Sequence, residues 1–443
     1  MYTNYKYEWK NLLNLTNDLL IKIKKKGIQA EIKININNGI STIIKTGKIN
    51  ILKYIDNKNL SINIYKNNSK SIISTSDFSK KTLLNIINVG INITNFTKKN
   101  KYLELPNNSF KNINYNLNIY HPCNDVLQKI IKYNTQNKKI LFLYDKTIIN
   151  SENYIFLSNN NFKIYGNTNG FIGSYPSSIY SWYNTIVFSN KGIIKNNYKH
   201  IKFRNINDLL NMKYIENLSS INVIKKLKIY KIKTTTQPVI LISNIASIFL
   251  NNFIEAIYGY NIYNKKSFLS NSLNKKIFPN NVIIYEDPHI INSIGSKPFD
   301  NDGINTKFKI IVNNGYLKNY LLDTYYAKKL NMNSTGNSGG ISNIIISNDN
   351  ISFKNLIKKM YKGLLITELM ENEVNIITGD YSYEIFGYFI NKGEIEYPVN
   401  KIIISGNLKE IFLNIINISN DIYNYEKIKT GSILINNVYT KKM

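Results

Sequence analysis

The 443-residue chain is short of the side chains on which most catalytic and metal sites depend. It has one cysteine, Cys123, and one arginine, Arg204, and its three histidines are His121, His200 and His289. A lone cysteine excludes an internal disulfide and a multi-cysteine zinc site. Because no two histidines are four residues apart, the sequence also lacks the HExxH helix of zinc hydrolases.

Long apolar runs are absent as well. No stretch approaches the ~18–20 apolar residues that cross a bilayer, and the opening MYTNYKYEWK has no apolar signal-peptide core. We therefore expect a cytoplasmic protein without a membrane partner. With 43% hydrophobic residues the chain can bury ample core, and two domains are the natural expectation for its length.

The positive charge is large, but composition explains it. The formal net charge is +29, and all but one of the 57 basic residues are lysines. Lys, Asn, Ile, Tyr and Phe have A/T-rich codons, so this composition indicates a reduced, A/T-rich bacterial genome. Phosphate-binding surfaces favour arginine and concentrate charge on one face, whereas these lysines are distributed along the whole chain. No nucleic-acid partner is therefore expected.

The N-terminal half shows mixed helical and strand periodicity. Leucines at helical spacing predict a helix over 8–26, and the alternating isoleucines of IQAEIKININ, 28–37, predict a half-buried strand. Asp77 or Ser79 is placed to cap a second helix. The stretch YGNTNGFIGSYPSS, 165–178, predicts turns and strand ends.

The C-terminal half is richer in strands. PVILIS and VIIYED are typical of short buried strands, and Asn314-Gly315 between two apolar runs predicts a hairpin with a type I′ turn. Ser405 or Asn407 is placed to cap a helix that follows three or four further strands. We therefore predict an α+β fold. A mixed α/β N-terminal domain, 1–222, precedes a strand-rich, mostly antiparallel C-terminal domain, 223–443.

Two acidic segments have some features of metal sites. In YEDPHI, Glu286, Asp287 and His289 lie within four positions, and hard or borderline metals accept these ligand types. One short segment rarely gives convergent ligands, so we favour a turn at the end of a strand. PFDNDG, 298–303, resembles part of a calcium loop but lacks the closing glutamate, which also favours a turn.

The most unusual segment is MNSTGNSGGISN, 332–343, because glycine is scarce and three glycines fall here within five positions. No Lys-Ser or Lys-Thr follows TGNSGG, which argues against a phosphate-binding loop. Bare backbone can instead pair with an extended peptide, or the segment can be a plain glycine-rich loop. From the residues alone both interpretations stand. The candidate residues are Thr335, Gly336, Asn337, Gly339 and Gly340.

Several short motifs follow one another along the chain in a distinctive order. They are SIISTSDFS, PVILIS, KKSFLSNSL, KPFDNDGINT, STGNSGGISN, GLLITELM, ITGDYS, GEIEYPVNKIIISGNLKEI and SNDI. Together they resemble the PmbA (TldE) members of the TldD/TldE metalloprotease family, also called PmbA/TldD. The similarity extends from about residue 28 to TGSILI near the C-terminus. It implies a subunit of a heteromeric zinc protease of the bacterial cytosol.

In that family the TldD subunit carries HExxH on a helix of the C-terminal domain, and a later cysteine is a further zinc ligand. The resemblance places NNFIEA on that helix, with Asn251 and Ala256 in place of the histidines and Asn252 in place of the glutamate. Thr430, in IKTGSIL, stands in place of the cysteine. None of the four can replace its counterpart at a zinc site. The chain is therefore expected to be inactive alone and to hold no metal or cofactor, with zinc in the partner.

The resemblance also implies the partners. We expect a TldD-like subunit, in a dimer or a higher heteromer, and an unfolded or flexible peptide in a cleft that the subunits enclose. The glycine-rich segment is the first candidate for a surface that faces the cleft or the partner. The second is ITGDY, with Thr378, Gly379 and Asp380, for which an ordinary turn is an equal alternative.

Two other functions stay open at this point. The family has also been described as a modulator of DNA gyrase, which would require a basic face and salt-dependent binding to DNA. The other alternative is a homo-oligomeric peptide-binding protein without an enzymatic partner. A TldD-like chain with HExxH in the same genome would favour the protease interpretation over that alternative.

Overall fold

The computed structural model describes residues 2–45, 48–106, 116–144, 148–190, 193–211 and 233–442. The helices are α1 (Tyr2–Lys25), α2 (Lys80–Thr94), α3 (Val126–Tyr144), α4 (Ile206–Asn211), α5 (Ser243–Ala256), α6 (Gly259–Tyr263), α7 (Thr324–Lys329), α8 (Phe353–Met360) and α9 (Leu408–Leu413). The strands are β1 (Gln29–Lys45), β2 (Lys48–Lys66), β3 (Ser69–Thr75), β4 (Ile148–Asn167), β5 (Ile172–Asn190), β6 (Ile193–Phe203), β7 (Thr235–Leu241), β8 (Ile284–Glu286), β9 (Lys309–Asn313), β10 (Tyr316–Leu317), β11 (Ile344–Ile346), β12 (Gly363–Val374), β13 (Asp380–Asn391), β14 (Glu394–Asn407), β15 (Ile415–Ile418), β16 (Ile428–Lys429) and β17 (Ile433–Lys442). Within these ranges no helix has both the length and the apolar character that crossing a membrane requires.

The N-terminal half is built on one antiparallel sheet of six strands, in the order β3-β2-β1-β4-β5-β6. Successive side chains of a strand point to opposite faces, so the alternating isoleucines of β1 share one face. Ile32, Ile34 and Ile36 are buried there in a cluster that includes residues of α1 and α2. Farther along β1, Ile40 and Ile44 join a second cluster that includes residues of α3. The helices therefore cover one face of the sheet.

The helix and strand predicted for the beginning of this half are confirmed. The helix expected over 8–26 is α1, and the strand expected over 28–37 is the first part of the longer β1. Ser79 is the N-cap of α2, where its hydroxyl accepts from the Thr82 N–H. Asp77 supports this cap, because it accepts from the N–H of Ser79 at 2.8 Å.

The prediction of turns over 165–178 is wrong in part. Only four residues separate the end of β4 at Asn167 from the start of β5 at Ile172, and the Asn167 side chain holds that turn by accepting from the N–H groups of Asn169 and Phe171. The remaining serines and the proline of the segment lie within β5, paired with β4. Their turn-like composition is overridden by this pairing and by hydrogen bonds of the polar side chains. The hydroxyl of Ser174 accepts from Nε1 of Trp9 in α1 at 2.9 Å, and that of Ser178 donates to the carbonyl of Arg204 at 2.7 Å.

The C-terminal half holds two sheets. One has five strands in the order β10-β9-β8-β11-β16, and the other has the order β14-β13-β12-β7-β17-β15. In the second sheet β14 also pairs with β17, so β14, β13, β12, β7 and β17 form a closed barrel. Among the strand pairs of the described residues, β7 with β12 and β11 with β16 are parallel, and the others are antiparallel. The predicted α+β fold with a strand-rich, mostly antiparallel C-terminal half is confirmed.

Helix α5 is fixed to both sheets of this half. The ring of Phe249 contacts the rings of Tyr381 and Tyr383 on the barrel strand β13, with centroids 5.8 and 5.9 Å apart. On the other side, the hydroxyl of Ser247 donates to the carbonyl of Ile428 in β16 at 2.9 Å. The helix on which the family resemblance places zinc chemistry therefore lies between the barrel and the five-stranded sheet.

Two further local predictions of this half are confirmed. Asn314 and Gly315 connect β9 to β10 with φ angles of 48° and 82°, the left-handed values that a type I′ turn requires. Asn407, and not Ser405, is the N-cap of α9, where its side chain accepts from the N–H of Lys409 at 3.0 Å.

The predicted boundary between residues 222 and 223 lies outside the described residues, but the two halves are in direct contact through Arg204. Its guanidinium donates to the carbonyl of Ser178 in the N-terminal sheet at 3.1 Å. It also donates to the carbonyls of Ser293 and Ile294 in the C-terminal half, at 3.1 and 2.6 Å. Burial lowers the pKa of Arg204 to about 10. The one arginine of the chain is thus a buried structural link.

Candidate functional site around the glycine loop

Residues 334–340, here called the glycine loop, lie between α7 and β11. Gly336, Gly339 and Gly340 have φ angles of 72°, 80° and 101°. Residues with a side chain rarely adopt this left-handed backbone, so the path of the loop requires glycine at these positions. Gly339 is constrained a second time, because a Cβ atom there would lie 2.0 Å from Nδ2 of Asn301.

Asn337 attaches the glycine loop to a buried carboxylate. Its Nδ2 donates to both oxygens of Glu286, at 3.1 and 3.0 Å, and its Oδ1 accepts from Nζ of Lys309 at 3.0 Å. Glu286 is fully buried on β8 and also accepts from Nζ of Lys309 at 2.5 Å and from the N–H of Ser342. The hydroxyl of Thr335 lies 2.7 Å from Oδ1 of Asn337. A buried charge needs such partners, so this network fixes the loop.

A second loop, 299–305, here called the clasp, holds the glycine loop from the side. The carboxylate of Asp300, which is fully buried, accepts from the N–H groups of Asp302, Ile304 and Ser338 at 2.9, 2.9 and 3.0 Å. The hydroxyl of Ser338 donates to Oδ1 of Asp302 at 2.8 Å. Burial, reinforced by the nearby charge of Asp302, raises the pKa of Asp300 to about 7. Burial therefore favours the neutral form of this carboxyl group, whereas the three N–H donors favour its charged form.

The clasp is also attached to the N-terminal sheet. Gly303 lies against the ring of Tyr165 on β4, so closely that a Cβ atom would be 2.3 Å from Cε1 of that ring. Oδ1 of Asn301 accepts from Nζ of Lys163 at 2.5 Å, also on β4. The rings of Phe299 and Tyr175 meet edge to face with centroids 5.0 Å apart. Through these contacts the glycine loop is mechanically connected to the other half of the chain.

Lys297 and Tyr258 hold the far end of the glycine loop. Nζ of Lys297 donates to the carbonyl of Gly340 at 2.7 Å. Burial, together with the charge of Lys427, lowers the pKa of Lys297 to about 8. The phenol of Tyr258, which follows α5, interacts with the N–H of Ile341, and burial raises the pKa of this phenol. The end of α5 and the glycine loop are thus neighbours.

The loop residues singled out by sequence divide into an inward and an outward group. Gly336 and Asn337 are buried, and Asn337 is only 3% exposed, so its side chain belongs to the interior of this chain. Thr335 and Gly340 are partly exposed, and Gly339 is exposed. The surface that the loop can offer to a peptide or a partner is therefore centred on Gly339. That it meets one stays a prediction.

Thr378, Gly379 and Asp380 lie where β12 turns into β13. The hydroxyl of Thr378 donates to Oδ2 of Asp380 at 2.6 Å, and Nδ2 of Asn407 donates to Oδ1 of Asp380 at 2.9 Å. These bonds lower the pKa of Asp380. The carbonyl of Gly379 accepts from the N–H of Leu408 at 2.7 Å. The turn thus supports the start of α9, and a role toward a partner stays a prediction.

The residues of α5 that the resemblance assigns to zinc positions are engaged in other contacts. Nδ2 of Asn251 donates to Oε1 of Glu255 at 2.8 Å on the accessible side of the helix. Nδ2 of Asn252 donates to the hydroxyl of Tyr383 at 2.7 Å. Ala256 is fully buried.

The placement of Asn251 and Ala256 as the histidine pair needs a correction. HExxH spaces its histidines by four residues, whereas these two residues are five apart and point about 140° apart around a helix. If HExxH is aligned with its first histidine at Asn251, the second falls at Glu255. If the second histidine is aligned with Ala256, the first falls at Asn252. Neither alignment contains a histidine.

Thr430 lies directly after β16, and its hydroxyl is 3.1 Å from the carbonyl of Gly431. It is buried close to α5, because the same strand accepts a hydrogen bond from Ser247. A catalytic zinc ion takes three ligands from His, Cys, Asp and Glu. The four side chains that the resemblance places at the zinc site, two amides, a methyl group and a hydroxyl, include none of these types. Among the described residues, no group of three or more His, Cys, Asp or Glu is arranged to hold a metal.

The YEDPHI segment does not give convergent ligands either. Glu286 points to the glycine loop, whereas Oδ1 of Asp287 accepts from the N–H of His289 at 2.9 Å and forms a local turn. Nε2 of His289 lies 3.2 Å from the hydroxyl of Thr306. The interpretation of this segment as a turn at the end of a strand is confirmed.

Sequence reasoning missed the charged residues that hold the glycine loop. The sequence predicts Glu286 at the end of a short strand and Asp300 in a turn, but it does not indicate that these residues, or Lys297 and Lys309, bind the glycine loop. A signal was available, since Glu286 and Lys309 stand within or beside apolar strands, VIIYE and KIIV, where an unpaired charge would be costly. The distance between the segments in sequence conceals the pairing.

Comparisons with known proteins agree with this architecture. Residues 234–442 match the family described as PmbA/TldA metallopeptidase C-terminal domain. A protein of Buchnera aphidicola subsp. Acyrthosiphon pisum, named metalloprotease PmbA homolog, is 36% identical over 430 residues, which cover 96% of each chain.

Two solved structures share the fold over nearly the whole chain. One is a Bacteroides thetaiotaomicron protein provisionally described as a modulator of DNA gyrase, with 25% identity and a TM-score of 0.89 over 97% of this chain and 98% of that one. The other is TldE from Thermococcus kodakarensis, with 17% identity and a TM-score of 0.82 over 98% of this chain and 99% of that one. Given the identity to the Buchnera relative along almost its full length, this chain belongs to the PmbA/TldD metallopeptidase family.

Proposed function

We propose that this chain is the non-catalytic, TldE-type subunit of a heteromeric zinc metalloprotease, in which a TldD-like partner carries the zinc. The chain helps to form the cleft that receives an unfolded or flexible peptide, in the cytoplasm. The observation that carries the proposal is the composition of α5. Its accessible side presents Asn251, Asn252 and Glu255, in a chain that resembles a relative named as a metalloprotease over 96% of its length.

The contacts of α5 support a subunit without its own chemistry. A catalytic zinc ion is held by three protein ligands and activates a water molecule that a nearby base deprotonates. Glu255 is the one carboxylate on this side of the helix, and Asn251 already donates to it. Asn252 is likewise engaged, because it donates to the hydroxyl of Tyr383, a buried residue of β13. These side chains support the helix surface and each other.

The glycine loop supports a role in shaping a cleft. Asn337 of the loop is bonded to the buried Glu286, and Ser338 is bonded to Asp300 of the clasp. These bonds fix the loop, and its accessible part is at Gly339. Glycine lets the backbone of a second chain approach closely, and a rigid surface loses little entropy when it binds. These two properties suit a wall of a peptide-binding cleft.

The test is hydrolysis of an unstructured fluorogenic peptide by this chain alone, by the TldD-like subunit of the same organism alone, and by their mixture, each with zinc. The proposal expects cleavage by the mixture at a rate well above the sum of the two separate rates. Cleavage by this chain alone would refute it. A mixture that is no faster than the partner alone would show that this chain does not complete the cleft.

Binding to DNA is the second function to test, because the similar Bacteroides structure carries the provisional gyrase description. Phosphate-binding surfaces favour arginine. The one arginine of this chain, Arg204, is buried between the two halves and is not available to DNA. A titration of this chain with duplex DNA at two salt concentrations separates the proposals. Affinity that falls steeply with salt would favour the gyrase-related function.

A partnerless homo-oligomer that binds peptides is the third function. Sedimentation of this chain with and without the TldD-like subunit separates it from the first, because the proposed function requires a mixed species that contains both chains. Self-association with no mixed species would favour the third.

A further inference from the structure

The N-terminal sheet has an edge that is only partly covered. β2 pairs with β1 from Lys48 to Tyr65, whereas β3 pairs only with residues 60–66 of β2. Among the strands of the described ranges, no other strand pairs with β2 on that side. Residues 48–59, here called the β2 edge, therefore present a row of main-chain N–H and C=O groups over about 40 Å.

The β2 edge has two of the features that usually protect an edge strand, its lysines and a bulge at Asn50, where the register with β1 shifts between Ile49 and Ile51. From Ile51 to Tyr65, however, the register is continuous, so most of the edge is regular. Large apolar side chains are also accessible here, with Ile49 and Ile51 each 40% exposed and Tyr54 78% exposed. A long, regular edge with accessible apolar side chains is suited to pairing with a further strand.

The charge of the β2 edge indicates which kind of strand it accepts. Its charged residues are Lys48, Lys53 and Lys58 and one acidic residue, Asp56. Nζ of Lys58 is already paired with Oε1 of Glu8 in α1 at 2.7 Å, so the selectivity of the edge rests on Lys48 and Lys53. Antiparallel pairing of two copies about Lys53 would place Lys53 opposite itself and Lys48 opposite Lys58. Like charges directly opposite each other destabilise a strand pair, and opposite charges stabilise it. Pairing in this register is therefore unfavourable for a second copy, whereas an acidic strand is favoured. A register that places Lys53 opposite Asp56 of a second copy is favourable as well, so the test below also measures self-association.

We propose that the β2 edge docks an extended, acidic segment of a partner protein, which adds to the N-terminal sheet as a strand beside β2 and in line with β3. Main-chain hydrogen bonds supply the affinity, and the side chains beside them supply the selectivity. Ile51 and Lys53 lie on one face of the added pair and Tyr54 on the other, because successive residues of a strand alternate. This inference does not depend on the protease role.

The first arm of the test uses a fluorescein-labelled dodecapeptide of alternating valine and glutamate, added to the full-length chain at up to about 1 mM. A dodecapeptide of alternating valine and lysine is the charge control. A third peptide has the acidic sequence with a proline at its centre, which removes a donor and breaks strand pairing. Binding is followed by fluorescence anisotropy, and amide hydrogen exchange reports which residues become protected.

The proposal expects the acidic peptide to bind and to slow exchange within residues 48–59, with little effect on the covered part of β2. The valine–lysine and proline peptides should bind at least about tenfold more weakly. Absence of protection within 48–59 at the highest acidic-peptide concentration would overturn the proposal. Equal binding of the valine–lysine peptide would also overturn it.

The second arm uses variants of exposed lysines. Lys48→Glu with Lys53→Glu should weaken the acidic peptide at least about tenfold. Lys358→Glu with Lys359→Glu, at exposed positions of α8, changes the net charge equally and should leave binding within about twofold. An equal loss of peptide affinity in the two double variants would show that the peptide is attracted by the overall charge of the chain. That result would refute specific binding at the β2 edge. Concentration-dependent dimerisation of the unliganded chain, with protection of residues 48–59, would assign the edge to a second copy instead.

Discussion

The side-chain amide of Asn337 lies against the carboxylate of Glu286, with Nδ2 3.1 and 3.0 Å from the two oxygens, although the residues are 51 positions apart. Glu286 is fully buried, so its charge depends on Asn337, on Lys309 and on the N–H of Ser342. This pair therefore connects the strand β8 to the conformation of the glycine loop.

Replacement of Asn337 by alanine tests that connection. We expect a loss of about 2–3 kcal/mol in the free energy of unfolding, because the buried carboxylate loses a donor. Urea denaturation measures it, with Asn333→Ala as the control, since Asn333 is exposed in the same segment. The control should change stability by less than about 0.5 kcal/mol. Equal effects of the two substitutions would show that the Glu286 network does not hold the loop.

Gly339→Ala and Gly340→Ala form a matched pair. Both positions have positive φ angles, so each substitution should cost about 1–2 kcal/mol from backbone strain. A Cβ atom at Gly339 would also displace the side-chain amide of Asn301 and with it the hydrogen bond from Nζ of Lys163, whereas at Gly340 the nearest atom is the hydroxyl of Tyr258 at 3.6 Å. Unfolding measurements should therefore give the larger loss for Gly339→Ala. The reverse order would contradict the packing of the clasp against the loop.

Arg204→Lys should weaken the contact between the two halves. The guanidinium donates to carbonyls on both sides, and an ammonium group cannot reach all of them, so we expect a loss of about 2–4 kcal/mol. Lys202→Met is the control, because Lys202 also joins the halves, through a partly exposed ion pair with Glu426. It should cost less than about 1 kcal/mol. Denaturation that becomes biphasic only in Arg204→Lys would confirm the link, and equal losses would refute it.

The lowered pKa of Lys163 in the folded chain predicts how the free energy of unfolding depends on pH. Burial and the charge of Lys297 lower its pKa in the folded chain to about 8, below the ordinary value of 10.5. Between these two pH values the unfolded chain binds more protons, so stability rises with pH. The free energy of unfolding of the wild type, minus that of Lys163→Met, should therefore increase from pH 8 to 10.5 and be constant below about pH 7.

The control for this experiment is Lys358→Met, at an exposed position of α8. Its difference from the wild type should not vary with pH over the same interval. A difference for Lys163→Met that is flat, or that falls between pH 8 and 10.5, would contradict the partial burial of Lys163 beside the clasp.

Local signals in the sequence were sufficient for much of the fold. The Asn314-Gly315 turn, the cap at Ser79 and the alternating isoleucines of β1 each depend on residues within a few positions, and the structure confirms all three. The polar segment 173–178 was not recognised as part of β5, because its place in a strand depends on pairing with β4 and not on its own composition.

The candidate site could be predicted only in part. Its glycines were visible, but Asn337 was expected at a surface and lies in the interior, because its partner Glu286 comes from a strand far away in sequence. Arg204 was noticed as the single arginine, yet its role depends on two segments that the fold brings together. The resemblance places NNFIEA on a helix, and these residues do lie in α5. The assignment of Asn251 and Ala256 to the two histidines is wrong, because they are five residues apart and HExxH requires four.

The most direct test of the central claim is the rate at which the reconstituted complex cleaves a peptide when this chain carries Asn251→Ala and Glu255→Gln. These side chains pair with each other on the accessible side of α5, where a zinc-binding frame would begin and end. The account predicts kcat and KM within about twofold of the unsubstituted complex, with the same zinc content. A loss of rate of about tenfold or more in an intact complex would show that this chain takes part in the chemistry.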